Sequence, residues 1–443
     1  MGYITLLIVK PIQKLLKMRG RGTSIPGAIA LKLNKNIFKH FKLPDITICV
    51  TGTTGKTSIS GTLASIYKQS GYKVIHNVKG SNLLEGALSV LIDNSKLNGK
   101  SKNDVAIIEI DERYVKKLFK HIHPNYFIIS NLSRDQLARN GHFDIVFNEI
   151  KNSITDDIHL ILNVDDPIVN KFSLNHNGKT TFYGLAKTKY STKENSNNLD
   201  LAYCPICHQK LNFSYFHYGN LGNYKCPNDD FKRVKPDYEA KLIDENNFKI
   251  GSDIIKMPND ALYNIYNLTA CYTLGKLTNL DSSKVVETLN NLSLKVKRVN
   301  TFKLNNLEGT LLLSKNETPV SYNQSLSYIN KQKGSKTVVL GFTRISGRYN
   351  LKDLSWLYDI NFESLNDESI KKIICVGPFS NDLIVRLKLA GINPKKIVTC
   401  LDPEKMLDVI KEKSIGKVYC SLYFDTEKIL KRLLIKEGAE LWN

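Results

Sequence analysis

From Asp45 onward, short apolar runs alternate with helix-length amphipathic stretches. Runs at 46–50, 73–76, 104–110, 126–130 and 159–163 are short and continuous enough to be buried strands. Between them, 57–69, 84–94, 112–120 and 143–153 carry apolar residues at helical spacing. This alternation predicts a doubly wound α/β domain with a largely parallel sheet. In such a sheet, ligand-binding loops sit at the carboxyl ends of the strands. Residues 190–240, rich in Asn, Lys, Tyr and Cys, break the pattern and predict an insertion of short β-hairpins. Helical periodicity returns over 260–291 through Tyr263, Tyr266, Leu268, Tyr272 and Leu274. Further strands are expected at 309–313, 337–340, 372–376, 396–399 and 417–421, which makes a second, Rossmann-like α/β domain. The expected division is a helical, basic lead-in at 1–44, a central domain at 45–299 carrying the insertion at 190–240, and a C-terminal domain at 300–443.

Between the first strand and the first helix lies Thr51-Gly52-Thr53-Thr54-Gly55-Lys56-Thr57-Ser58. Gly52 and Gly55 let the backbone approach phosphate oxygens, and the following helix offers unpaired N–H groups to them. Lys56 can reach β- and γ-phosphates, and the Thr57 hydroxyl can sit on Mg²⁺. The loop from Gly52 to Ser58 therefore reads as an ATP site, although its first glycine stands closer to the second than in G-x-x-x-x-G-K-[ST]. Glu109 ends the strand Val105-Ala106-Ile107-Ile108-Glu109, well placed for a metal that takes carboxylate and phosphate oxygens. Asp111 and Glu112 follow it. Asn131 leaves the next strand end, and Asn163 and Asp165 the one after. These residues can reach the adenine and ribose edges, or they and their neighbours can cap the helices that follow.

Composition narrows the class of partner. The 443 residues leave room for two or three domains, and 42% hydrophobic content is that of an ordinary globular chain. The net charge of +21 favours an anionic membrane or a diphosphate-bearing substrate. Nucleic acid is not expected, since neither a recognition helix nor an RNA-binding aromatic motif occurs. The apolar run from Ile4 to Val9, followed by Lys10 and Pro11, is too short to span a bilayer, and no small-residue cleavage site follows it. A peripheral amphipathic helix over 3–18 is expected instead, with Lys10, Lys14 and Lys17 on its polar side. Of eight cysteines, Cys49, Cys271, Cys375, Cys400 and Cys420 stand singly in apolar surroundings and read as core residues. Cys204, Cys207 and Cys226 cluster, which points to metal in a reducing compartment.

The ordered set Gly-Thr-Thr-Gly-Lys-Thr, Ile-Glu-Ile-Asp-Glu (108–112), Asn-x-x-Arg-Asp-Gln (131–136), Asn-x-Asp-Asp (163–166) and Asn264-Ile265-Tyr266-Asn267 resembles the ATPase core of the Mur ligases. The cysteine insertion and the segment Asp353-Leu354-Ser355-Trp356-Leu357-Tyr358-Asp359 are similar to those of the MurT family, synthetase subunits of lipid II isoglutaminyl synthase. The resemblance covers nearly the whole chain. It implies a Mur ligase-type P-loop ATPase domain with a zinc-ribbon-like insertion, followed by the second α/β domain. It adds Asn267 to the nucleotide site. It also implies a reaction in which ATP phosphorylates the α-carboxylate of D-glutamate in the lipid II stem peptide. Ammonia then attacks the acyl phosphate and gives D-isoglutamine. The ammonia would come from a GatD-type glutaminase subunit, whose Cys–His pair Asp353 would complete. The catalytic residues are then Lys56, Glu109 and Asp353, and Thr57 and Glu109 would hold Mg²⁺. The family's four zinc cysteines correspond to Cys204, Cys207, Cys226 and Asp229, with His208 or His217 as other candidate ligands. The implied place of action is cytoplasmic, peripheral at the inner face of the cell membrane. Lys79, Ala138 and His142 stand where the family usually has acidic residues. The segments 315–319 and 341–352 also depart from its pattern. These departures motivate a second reading, a nucleotide-binding scaffold paralogue with weak or no turnover.

Overall fold

The protein's computed structural model describes residues 1–443 except 20–22, 78–80, 135–141, 194–198, 259–260, 293–298, 315–317, 343–352 and 443. The chain forms two compact units: Met1–Ser133 with Phe143–Asn195 and Leu199–Leu294, and Lys295–Asn443 with Arg134–His142 and Ser196–Asn198.

The first unit is built on the strands β1 (Ile46–Thr51), β2 (Val74–His76), β3 (Val105–Glu109), β4 (Tyr126–Ile129), β5 (His159–Asn163) and β6 (Thr180–Leu185). The insertion contributes a separate hairpin, β7 (Asn212–Tyr218) with β8 (Leu221–Lys225), and the chain returns as β9 (Tyr238–Leu242), β10 (Asn247–Ile250) and β11 (Asp253–Lys256). The nine-stranded sheet runs β11-β10-β9-β6-β5-β4-β1-β3-β2. It is parallel from β2 to β9, and β10 and β11 are antiparallel at the edge.

Period-two alternation divides the strand residues between two cores. Ile48, Val50, Ile107, Ile128 and Ile161 face one of them. Cys49, Ala106, Ile108, Phe127, Ile129 and Leu160 face the other. The helices of this unit are α1 (Gly2–Met18), α2 (Ile25–Leu33), α3 (Lys56–Gln69), α4 (Leu84–Asn94), α5 (Val115–Phe119), α6 (Phe143–Lys151), α7 (Pro167–Asn170), α8 (Leu262–Leu277) and α9 (Ser282–Asn290). Helix α3 buries Ile59, Leu63, Ile66 and Tyr67 in the first core, together with Ile265, Leu268 and Cys271 of α8. The second core takes Leu6 and Val9 of α1, Ala30 of α2, Leu88 and Leu91 of α4 and Phe147 of α6. The result is a three-layer α/β/α sandwich.

The lead-in is helical as expected, but α1 is turned. Lys10 donates to the backbone oxygens of Ser95 (2.7 Å) and Ile92 at the end of α4, where carbonyls lack helical partners. Lys17 pairs with Asp93 at 2.5 Å, and Gln13 Nε2 donates to Ser89 O at 2.8 Å. Two of the three lysines expected on a solvent-facing polar side therefore bind α4. Among the described residues no helix is long and apolar enough to cross a membrane.

The second unit carries β12 (Val299–Leu304), β13 (Leu307–Ser314), β14 (Lys336–Gly341), β15 (Ile370–Val376), β16 (Ile397–Cys400), β17 (Lys417–Tyr423) and β18 (Glu440–Trp442). Its sheet runs β16-β15-β14-β17-β13-β12-β18 and is parallel up to β13. Helix α10 (Pro319–Lys331) and α11 (Ser380–Leu389) cover one face through Tyr322, Leu326, Leu383 and Leu387. Helix α12 (Met406–Lys413) and α13 (Phe424–Lys436) cover the other through Met406, Ile410, Leu430 and Leu434.

Candidate active site and metal site

The loop between β1 and α3 needs its glycines. Gly52 has φ of 139° and Gly55 of 85°, in the region that side chains rarely adopt. A Cβ on Gly52 would stand 2.1 Å from Ser130 Oγ, and one on Gly55 2.4 Å from Asn267 Oδ1. Gly55 caps α3 without any side-chain hydrogen bond to the helix N-terminus. The N-terminus of α3 thus carries no side-chain cap, and such a helix end attracts an anion.

The neighbouring strand ends hold this loop. Asn131 Oδ1 accepts from Thr54 N (3.0 Å) and Thr54 Oγ1 (3.1 Å), while its Nδ2 donates to Thr54 O at 3.0 Å. Thr53 N donates to Asn131 O at 2.8 Å, and Ser133 N donates to Thr53 Oγ1 at 3.0 Å. Asn163 Nδ2 reaches Ser130 O at 3.2 Å, and Ser130 Oγ donates to Thr54 O at 2.7 Å. Asn131, Asn163 and Asn267 therefore gather at or behind the loop.

Lys56 Nζ donates to Glu112 Oε2 at 3.0 Å, to Thr53 O at 3.2 Å and to the Gly52 carbonyl. Its ammonium is held over the loop. Thr57 Oγ1 donates to Glu109 Oε1 at 3.0 Å, and Ser60 Oγ approaches Oε2 at 3.5 Å. Burial pushes the Glu109 carboxyl above its ordinary range, against the Thr57 hydrogen bond and the Lys56 charge. Behind it, Asn77 accepts from Glu109 N at 2.8 Å and donates to Glu109 O at 2.7 Å, which pins the strand end. Thr57 and Glu109 form a pair of hard oxygen donors next to the open helix end, the donor chemistry Mg²⁺ takes.

Asp165 lies elsewhere. It is fully buried and accepts from Arg233 Nε (2.6 Å), Tyr266 OH (2.7 Å) and Leu185 N (2.8 Å). This hub ties β5, β6, the end of the insertion and α8 together. Its neighbour Asp166 accepts from Ile168 N and Val169 N as the cap of α7, and from Leu132 N at 2.9 Å. Burial raises the Asp166 carboxyl to about 7 against those three hydrogen bonds. Neither Asn77 nor Arg233 carries a local sequence signal for its role. Both act through partners distant in the chain.

In the insertion, Cys204, Cys207, Cys226 and Asp230 bring their ligand atoms within 4.8 Å of one another. Ile206 N donates to Cys204 Sγ at 3.4 Å, and Cys207 Sγ lies 3.3 Å from Cys226 Sγ. This is the size of site a tetrahedral ion with bonds of about 2.3 Å to sulfur occupies. The fourth position falls to Asp230 and not to Asp229. Asp229 has φ of 64° and pairs with Lys232 (3.0 Å) and Lys225 (3.5 Å). His208 is outside the cluster. His217 is instead bonded to Ser191 Oγ (3.1 Å) and Leu185 O (3.1 Å). The five single cysteines are buried and free.

In the second unit, Asp353 Oδ1 accepts from Ser355 N at 2.8 Å and starts the short 3-10 helix Ser355–Asp359. Trp356 and Leu357 of that helix are buried in the core of the unit. Lys79, Ala138 and most of the segments 315–319 and 341–352 lie outside the described residues. His142 is exposed.

Residues 50–275 match the Mur ligase middle domain family, and residues 313–424 match the MurT ligase C-terminal family. The chain is 31% identical, over 85% of its length and 85% of theirs, to the MurT subunit of lipid II isoglutaminyl synthase (glutamine-hydrolyzing) of Staphylococcus aureus strain COL. The chain belongs to the MurT family. The corresponding subunit of Streptococcus pneumoniae is 29% identical over 90% of this chain and 89% of that one. Among solved structures, a pseudomurein peptide ligase type C from Methanothermus fervidus superposes with a TM-score of 0.69, at 23% identity, covering 91% of this chain and 80% of that one. That likeness is one of fold. The candidate site lies at the carboxyl ends of β1, β3, β4 and β5, where open parallel sheets bind ligands.

Proposed function

We propose that this MurT-family chain is the synthetase subunit of a lipid II isoglutaminyl synthase, an ATP-dependent carbon–nitrogen ligase. A carboxylate oxygen of the D-glutamate residue in the stem peptide attacks the γ-phosphorus of ATP. The bond to the β–γ bridging oxygen breaks, and ADP leaves with that electron pair. Ammonia then attacks the acyl carbon of the resulting acyl phosphate, inorganic phosphate departs, and a proton lost from nitrogen leaves the neutral amide of D-isoglutamine. A carboxylate is a poor electrophile until one oxygen becomes phosphate, which is what the ATP supplies.

The observation that carries this reading is the uncapped N-terminus of α3 with Lys56 and the Thr57–Glu109 pair set around it, in a chain whose curated relatives bear that name. The N–H groups of α3 and the loop would cradle the phosphates, and Lys56 would leave Glu112 to neutralise charge on the transferred group. Thr57 and Glu109 would hold Mg²⁺, which when bound supplies charge neutralisation on the β- and γ-phosphates. Asn131, Asn163 and Asn267 would set the loop and line the nucleotide side. Asp165 fits a positioning role, since its oxygens already take donors from three elements.

The amide donor is glutamine, hydrolysed by a GatD-type partner subunit. Asp353 is assigned to that partner's Cys–His pair, where a carboxylate orients an imidazole. Its hydrogen bond to Ser355 N fixes the carboxylate for such a role. Zinc in the Cys204, Cys207, Cys226 and Asp230 cluster would tie the insertion together. Because lipid II is membrane-bound, the reaction belongs at the inner face of the cell membrane.

ATP hydrolysis separates this reading from a scaffold that binds nucleotide without turnover. With lipid II and ammonium present, wild type is expected to release phosphate well above the Lys56→Ala background. Identical rates would favour the scaffold.

A further inference from the structure

Helix α1 is apolar on the side that faces solvent. Leu6 and Val9 are buried in the core of the first unit, yet Tyr3, Ile4, Leu7, Ile8 and Leu15 are each 45–57% exposed, and Met18 more so. Positions 3, 4, 7, 8, 11, 15 and 18 recur at i+3 and i+4 and cover about 140° of the helix surface. Pro11 is exposed among them. The stripe stays apolar because Lys10 and Gln13 turn toward α4 and Lys17, though exposed, is drawn to it as well. Lys10, Gln13 and Lys17 bind the Ile92, Ser95 and Ser89 carbonyls and the Asp93 carboxylate of the α4 region.

The charge carried by the first 44 residues has one sign. Residues 1–44 contain Lys10, Lys14, Lys17, Arg19, Arg21, Lys32, Lys35, Lys39 and Lys42, and neither Asp nor Glu. Lys14 lies at the edge of the stripe, and Lys14, Arg19, Lys32, Lys35 and Lys39 are exposed. Among the described residues, Asp93 faces this helix and is paired with Lys17. An exposed apolar stripe among exposed cations matches the interfacial layer of a bilayer carrying anionic lipid, with the side chains entering the acyl boundary and the lysines meeting headgroups.

We infer that the outward face of α1 is a docking surface for an anionic membrane, on which the protein lies with α1 in the interfacial plane. The inference rests on the proposed function only for its choice of membrane, where a lipid-borne substrate would be met. The surface itself is argued from α1 alone.

The test is flotation of the full-length protein with vesicles of phosphatidylglycerol and phosphatidylcholine, and of phosphatidylcholine alone, without ATP, glutamine or lipid II. Wild type is expected to float with the anionic vesicles and at least tenfold less with the neutral ones. Leu7→Glu with Leu15→Glu changes exposed positions only and should keep the wild-type circular dichroism spectrum while losing at least tenfold in vesicle binding. Lys14→Glu should weaken binding less and make it less sensitive to salt. Wild type left unbound on both vesicle types, or the double variant binding as wild type, would overturn the inference. So would a dimer in solution that the double variant dissolves in the absence of vesicle binding, which would give the face to a second copy. Loss of wild-type vesicle binding on adding the glutaminase subunit would give it to that partner. Since no outcome depends on amidation, failure here leaves the proposed reaction standing.

Discussion

At Lys56 the ammonium is shared between Glu112 and two loop carbonyls, so it is positioned by the loop it serves. In the proposed reaction it meets charge developing on the transferred phosphoryl group. Lys56→Ala is therefore expected to lower ATP turnover by roughly 10²–10³, the usual effect of removing one such donor. Steady-state phosphate release measures this. Asp230 and Asp229 offer a sharper contrast, because only the first joins the cysteine cluster. Metal analysis of purified Asp230→Ala is expected to show lost or weakened zinc, and Asp229→Ala to retain it. The reverse result would restore the simple C-x-x-C spacing. Asp166 makes a prediction about pH. Burial pushes its carboxyl up to about 7 from an ordinary value of 3.8. A carboxyl raised on folding adds no penalty below its unfolded pKa, and the penalty grows until pH passes the folded value. Relative to Asp166→Asn, wild type should lose stability between about pH 4 and pH 7, on the order of a few kcal/mol at most. Denaturant titrations at pH 5 and pH 8 would show it.

At the scale of elements, legibility followed burial and local constraint. The strands β1, β3, β4 and β5 are buried along nearly their whole length, so their apolar runs show in the sequence. The loop before α3 is legible because its two glycines are locally required. Gly55→Ala should disturb both the φ of 85° and the Asn267 side chain. Nucleotide binding is then expected to fail before the fold does, which isothermal titration with ATP and Mg²⁺ would measure. Strands β9, β10 and β11 are not legible in the sequence because they are only four or five residues long and mix buried with exposed positions, with Lys241, Lys249 and Lys256 exposed, toward the β11 edge of the sheet. The orientation of α1 was not readable either. Both of its faces are apolar in sequence, and only the acceptors on α4 decide which one turns inward. Asp229 was misplaced by one residue because the count assumed two equal knuckles, whereas its left-handed backbone turns it toward lysines. Asp166 as a helix cap was open from the sequence, since Asp before Pro favours that position.

For the whole molecule, the MurT relationship and the phosphate loop describe one activity from two directions. The relationship names a reaction for the relatives. In the proposed reaction, the loop would supply the groups that bind and transfer the phosphate. Under the proposed function, the net charge of +21 would suit a substrate that carries a diphosphate in an anionic surface, and the inferred α1 face would rest on that surface. The most direct measurement is mass spectrometry of lipid II after incubation with this chain, a GatD-type glutaminase of verified activity, glutamine, ATP and Mg²⁺. The account predicts conversion of the D-glutamate α-carboxylate to the amide, dependent on both ATP and glutamine and lost in Lys56→Ala. Unmodified lipid II with an active glutaminase present, or amidation that persists without ATP, would contradict it.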